Sequence, residues 1–336
     1  MLMTATFEKI MADLNDKVYH PVYFLSGEEP YFIDRIAETV EKEVLSDQEK
    51  EFNLSVLYGR DLDTPTILSY VKRYPMMAPY QVVIIKEAQE IRKIEELQPY
   101  IENPLTSTIL VLCYKYKKID KRKAFARALE KNAVFFEASP LYEERVPEWI
   151  RGFLQQKSYT ITPKASMLLT EYLGTDLTTI VNELGKLTIN LPVATEINEE
   201  HVEQNIGISK EYNVFELQKA LGSRNVMKAN RIIRHFASNE KENPLVKIVA
   251  ILYGFFSKVL LYHQLKDKSR SAAAAALAVH PYFVQDYQTA ASNFPPAKLA
   301  TIISYLREYD LRAKGVENAT ATDGELLKEL IFRILH

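Results

Sequence analysis

The order of hydrophobic runs constrains this chain more than any other feature. Over the first 140 residues, unbroken apolar runs alternate with segments of helical spacing. Residues 21–25 (PVYFL), 81–85 (QVVII) and 108–113 (TILVLC) are short, and the last two are strongly β-branched, which marks them as strands. Residues 52–58 and 133–136 read as two more. Between them, Phe7, Ile10, Met11 and Leu14 share one helical face within residues 4–14, and 31–44, 66–73 and 121–130 have helical spacing. Strands without a polar face need cover on both sides, and intervening helices supply it. The expected fold is therefore a doubly wound α/β domain with a parallel sheet.

After Pro140 the strand signals vanish. Segments 147–156, 163–173, 177–187 and 198–206 form a compact helical unit, with start signals at Thr162-Pro163 and Asn198. From Asn213 onward only helices are expected, with long ones at 243–266, 296–314 and 323–335. The run Ala272 to Ala276 reads as a helix start or a mobile loop.

Composition removes several classes of function. At 47% hydrophobic residues the chain cannot be intrinsically disordered. With 42 Lys and Arg against 44 Asp and Glu, it is not expected to coat nucleic acid by bulk charge. One cysteine forms no intrachain disulfide and suggests a reducing, cytoplasmic setting. Residues 1–16 carry Glu8, Lys9, Asp13 and Asp16, unlike a signal peptide. No apolar run is read as approaching the ~18–20 residues that span a bilayer, so no membrane association is expected.

An α/β domain followed by a small helical unit suggests a nucleotide-binding ATPase core with its lid. A phosphate loop, G-x-x-x-x-G-K-[ST], should then follow the first strand. Counting on from Gly27, the second glycine, the lysine and the hydroxyl should fall at 32, 33 and 34. The chain has Phe32, Ile33 and Asp34 there, with Glu28 and Glu29 adding negative charge where phosphates would lie. The metal-binding Asp-Glu should end the strand Val82 to Ile85, but Lys86 and Glu87 follow it. After Gly174 the lid arginine is replaced by Leu177 and Thr178, and no Ser-Arg-Cys arginine finger occurs. Three independent losses point to an ATPase scaffold without hydrolysis, and no cofactor is expected.

Other chemistries fare no better. His20, His201, His235, His263, His280 and His336 lack metal-ligand spacing, Cys113 sits mid-strand, and no G-x-S-x-G elbow occurs. No catalytic or metal-binding residue is assigned. A basic run, Lys115, Lys117, Lys118, Lys121, Arg122, Lys123, Arg127 and Lys131, faces only Asp120 and Glu130 locally. It is a candidate DNA contact, with Lys117, Lys118, Lys121, Arg122 and Lys123 at its centre, or else a solvated helix face. Tyr305 and Tyr309 could stack on a base, but at helical spacing they read as core.

The ordered set of local strings resembles the delta-subunit family of the bacterial DNA polymerase III clamp loader. The strings are YFLSGEEPYFIDR (23–35), RYPMMAPYQVVIIKEA (73–88), LGTDLTTIVNELGKL (173–187), YNVFELQKAL (from 212), NPLVKIVAILYGFFSKVLL (from 243) and DLRAKGV…DGELLKELIFRIL at the end. The likeness spans essentially the whole chain. It implies a degenerate AAA+ domain (1–140), a helical lid (141–208) and a C-terminal helical collar for oligomerisation (209–336). It further implies a subunit of a DNA-directed DNA polymerase holoenzyme, a nucleotidyltransferase, that is not itself an ATPase. Its partners would be the beta sliding clamp, the gamma/tau motor subunits, delta-prime and, through the assembly, primed DNA. In this family a pair of large apolar residues before the degenerate metal-site strand enters a pocket on the clamp and helps to open it. Met76 and Met77 match the pair, flanked by Tyr74 and Pro75; the usual pair is Leu-Phe or Phe-Phe, so Met-Met departs from the pattern.

The residues themselves fit such a role. Pro75 and Pro79 restrict the segment, which limits the entropy lost on docking. Methionine adapts to irregular apolar pockets. Spacing alone favours burial of the pair in the core, and the resemblance reverses that preference. The alternative for the whole chain is a helical adaptor in a replication or repair assembly, without direct clamp opening.

Overall fold

The computed structural model describes residues 5–209, 211–318 and 320–336, which form two compact units, Met1–Leu141 and Tyr142–His336. The first unit contains helices α1 (Phe7–Asn15), α2 (Pro30–Glu43), α3 (Asp47–Asn53), α4 (Thr64–Val71), α5 (Gln98–Glu102) and α6 (Ala124–Asn132). Its strands are β1 (Val22–Gly27), β2 (Leu54–Tyr58), β3 (Gln81–Lys86), β4 (Thr108–Lys115) and β5 (Val134–Ala138). They form one parallel sheet in the order β2-β3-β4-β1-β5.

The absence of a polar alternation in the strands has the expected consequence. Val22, Phe24, Val83, Ile85, Leu110 and Leu112 point to one face and pack with α4, α5 and α6. Tyr23, Leu25, Val82, Ile84, Ile109 and Val111 point to the other and pack with α1 and α2. Successive side chains on a strand leave on opposite sides, so only a sheet covered twice can bury both sets.

Element ends shift by a few residues from the sequence reading, and two of these shifts bear on the first unit. Residues 52–58 divide at Asn53, where α3 ends and β2 begins. Helix α3 is started by a capping box in which Glu49 accepts from the Ser46 backbone N–H. The predicted first helix covers Phe7–Asn15, while Thr4 lies outside the described residues.

The second unit begins with α7 (Val146–Gln156), α8 (Pro163–Leu173), α9 (Leu177–Asn190) and α10 (Glu199–Ile206). Two strands the sequence did not announce, β6 (Thr160–Ile161) and β7 (Glu196–Ile197), pair in parallel among them. At two residues each, they are too short for periodicity to register. Helices α11 (Val214–Gly222), α12 (Val226–Ser238), α13 (Leu245–Gln264), α14 (Arg270–Leu277), α15 (Val284–Asn293), α16 (Pro296–Ala313) and α17 (Asp323–Leu335) follow. The alanine run is thus helix, inside α14.

Helix α13 corrects one expectation: by length and composition it could cross a membrane. Its Ile248, Val249, Leu252, Phe255, Phe256 and Val259 instead belong to the core that it shares with α11, α12, α16 and α17. Tyr309 is also buried in that core, and Arg333 lies over the Tyr305 ring at 3.9 Å.

Glu171, in α8, has a buried Oε2 with no hydrogen-bond partner among the described residues. Burial pushes its carboxyl up from 4.5 to about 7. Between those values the folded chain keeps a proton that the unfolded chain releases, so this group lowers stability as pH rises through the window. Glu171→Gln is expected to match the parent near pH 4.5 and to exceed it by about 3 kcal/mol at pH 8. Thermal melts at the two pH values check this; an equal gain at both would refute the assignment.

Candidate functional site

A parallel sheet presents its functional loops at the carboxyl ends of its strands. Gly27, Lys86, Lys115 and Ala138 stand at those ends of β1, β3, β4 and β5. The structure shows what now fills the phosphate position. The Glu28 and Glu29 backbone N–H groups donate to the Ala138 carbonyl, at 3.0 and 3.5 Å. These are amides that a phosphate loop would turn towards its ligand. The Glu29 carboxylate caps α2 by accepting from the Tyr31 N–H at 3.1 Å, so a fixed anion occupies the helix N-terminus.

The remaining positions are committed to the fold. Ile33, where the lysine would stand, is fully buried, and Phe32 packs on Phe7 with ring centroids 4.8 Å apart. Asp34 pairs with Lys115 at 2.6 Å. Lys86 lies 3.9 Å from Glu41, and Glu87 takes a left-handed backbone at φ 55°. Cys113 is buried in β4, where desolvation pushes its thiol up to about 12 and keeps it protonated. Among the described residues no group of three or more His, Cys, Asp or Glu is placed to hold a metal ion.

The second site is the loop 74–79 between α4 and β3. Tyr74, Met76 and Met77 are exposed, Met77 at 98%, and Pro75 is half-buried. The methionines therefore do not pack in the core. Several contacts hold the loop's ends. The Val71 carbonyl, closing α4, accepts from Tyr100 Oη at 3.3 Å and Thr108 Oγ1 at 3.1 Å. Arg73 lies over the Tyr70 ring at 4.3 Å. Ala78 and Tyr80 pack against the core under α1 and α2, with Tyr80 edge-on to Tyr19 at 5.6 Å.

The middle of the loop is held by a residue that sequence reasoning missed. Asn53 is fully buried; its Oδ1 accepts from the Met76 N–H at 2.6 Å and its Nδ2 donates to the Met76 carbonyl at 2.9 Å. Beyond it, Met77 has φ 54°, an uncommon conformation for a residue with a side chain. The signal for α3 was present in Ser46 and Glu49, spaced as a capping box, but a contact across 23 positions leaves no local trace.

The basic run does not face only Asp120 and Glu130. Lys117 pairs with Glu90, Lys121 with Glu137 at 2.7 Å, Lys123 with Glu95 at 2.7 Å and Arg122 with Asp120. Lys118 lies 3.9 Å from both Glu28 and Glu137. These carboxylates, apart from Asp120, come from distant stretches of chain, so composition along the run overstated its free charge. Exposed pairs of this kind are weak, and a polyanion could displace them.

Taken together, the first unit is a doubly wound parallel α/β domain whose phosphate-loop position is filled by the chain's own groups, and the second unit is largely helical. Residues 23–139 match the family described as DNA polymerase III, delta subunit, and 211–332 match its C-terminal domain. The chain belongs to this family. It is 27% identical over 323 residues to DNA polymerase III subunit delta of Bacillus subtilis, covering 93% of this chain and 91% of that protein. The solved structure of the DNA clamp loader delta protein YqeN of Bacillus subtilis shares its fold. That match has a TM-score of 0.53 and 24% identity, covering 98% of this chain and 99% of that one.

Proposed function

We propose that this protein binds the beta sliding clamp through Met76 and Met77, flanked by Tyr74 and Pro75, and favours the open ring for loading onto primed DNA. The observation that carries the reading is the pair of solvent-facing methionines on a loop whose backbone is held from both ends and from its middle. An apolar pair held out in water costs free energy until a partner covers it. Burying two such side chains contributes roughly 3–6 kcal/mol before ordering costs. The free energy available for opening equals the difference in affinity between open and closed rings.

The protein is read as having no ATPase activity of its own. The Ala138 carbonyl takes the loop amides, Glu29 takes the helix N-terminus and Ile33 replaces the phosphate-binding lysine. ATP would act through the gamma/tau motor subunits, with delta-prime completing the loader in the cytoplasm. Residues 141–208 are read as the lid and 209–336 as the collar that assembles with those subunits. The cluster Lys117, Lys118, Lys121, Arg122 and Lys123 is the proposed DNA contact, made by exchanging the carboxylates it holds.

The test uses the full chain immobilised without nucleotide. The cognate sliding clamp is expected to be retained, and calorimetry of the chain alone is expected to show no ATP binding. A clamp that passes through unretained, with motor subunits still captured, would favour the adaptor reading instead.

A further inference from the structure

We propose that Asn53 is the positioning residue of the clamp-binding loop: its side-chain amide clamps the Met76 peptide and so holds the methionine pair ready to dock. This rests on the reading of Met76 and Met77 as the clamp contact. Asn53 closes α3, a helix that is joined to the loop by no local sequence. Its amide makes three hydrogen bonds, to the Glu49 carbonyl at 3.0 Å, to the Met76 carbonyl at 2.9 Å and from the Met76 N–H at 2.6 Å. One amide orientation satisfies all three. Ionised aspartate could accept but not donate, and leucine could do neither. Only a group carrying both a donor and an acceptor reads both sides of one peptide.

The consequence is conformational. Met76 has its N–H and C=O taken at once, so its backbone is held in one arrangement. Met77, next in the chain, is the residue with a positive φ and almost complete exposure. A loop released from Asn53 would leave that conformation for more common ones, and each rearrangement would have to be reversed on docking. Preorganisation of this kind acts on affinity without touching the partner.

Affinity for the cognate clamp is measured for the full chain, for Asn53→Ala and for the same change on a Met76→Ala plus Met77→Ala background. A loss of about 10-fold is expected from Asn53→Ala on the parent. Less than a further twofold loss is expected once the methionines are gone, because Asn53 acts through them. No loss on the parent, or equal losses on both backgrounds, overturns the proposal.

Asn53→Asp guards against an alanine variant that fails to fold. Buried, its carboxyl would be held high in pKa, and its protonated form regains one donor. Its clamp affinity should therefore recover as pH falls from 8 towards 5, relative to the parent; a flat ratio counts against the clamp. Exchange of the Met76 amide needs no partner at all. Slow exchange in the parent and fast exchange in Asn53→Ala supports the peptide clamp even if the sliding clamp does not bind. Equal rates reject it whatever the clamp does.

Discussion

Replacing both Met76 and Met77 by alanine is expected to weaken binding to the cognate sliding clamp by about 100-fold while leaving the fold intact. The two side chains are exposed, so truncation removes no core contact. Surface changes of this kind usually alter stability by less than about 0.5 kcal/mol. In a complex the balance differs. Each methionine loses most of a burial term of about 1.5–3 kcal/mol, and alanine keeps only the first carbon. A combined loss near 3 kcal/mol corresponds to about two decades in dissociation constant. Such concentration of binding in two residues is normal for interface hot spots. Titration of labelled clamp with the parent and double variant, beside thermal melts of both, reads the two quantities separately. An affinity changed by less than about twofold would remove the methionines from the mechanism, whatever the family membership.

The largest loss of stability is expected from Gly27→Ala. Gly27 ends β1 at φ 128° and stands in register with Ala138 of β5. A Cβ there would lie 2.0 Å from the Ala138 carbonyl oxygen and 2.7 Å from its nitrogen. Both are backbone atoms, so no side-chain rotation relieves the overlap. Either β5 leaves β1 or the turn changes its path, and the amides of Glu28 and Glu29 then lose their acceptor. The cost should exceed about 3 kcal/mol, combining a disfavoured backbone with a packing clash. For a unit of this size that lowers the melting temperature by roughly 10 °C. A melt within about 2 °C of the parent would show that the turn is far more plastic than its geometry implies. On this account Gly27 serves the turn from β1 into α2, where the chain passes close against β5.

The parallel sheet and the helical second unit were legible in the residues, because apolar runs and helical spacing are local properties with a fixed period. PVYFL, QVVII and TILVLC became β1, β3 and β4, and their alternating burial follows from strand geometry alone. The missing phosphate-loop residues were legible for the same reason, since a motif is a spacing. The Asn53–Met76 contact and the carboxylates that neutralise Lys117, Lys121 and Lys123 were not. Each joins residues between 16 and 28 positions apart, and nothing local encodes such a meeting.

Residue order thus settled the class of fold, the family and which phosphate-loop residues are missing from their motif positions. Folding alone settled whether the methionine pair faced the core or the solvent. Hydrophobicity favours burial for any methionine, and only the competition among all apolar groups for a finite interior leaves some of them outside. Here that interior was filled by β-branched strands and by Ile33, while Asn53 secured the loop from behind.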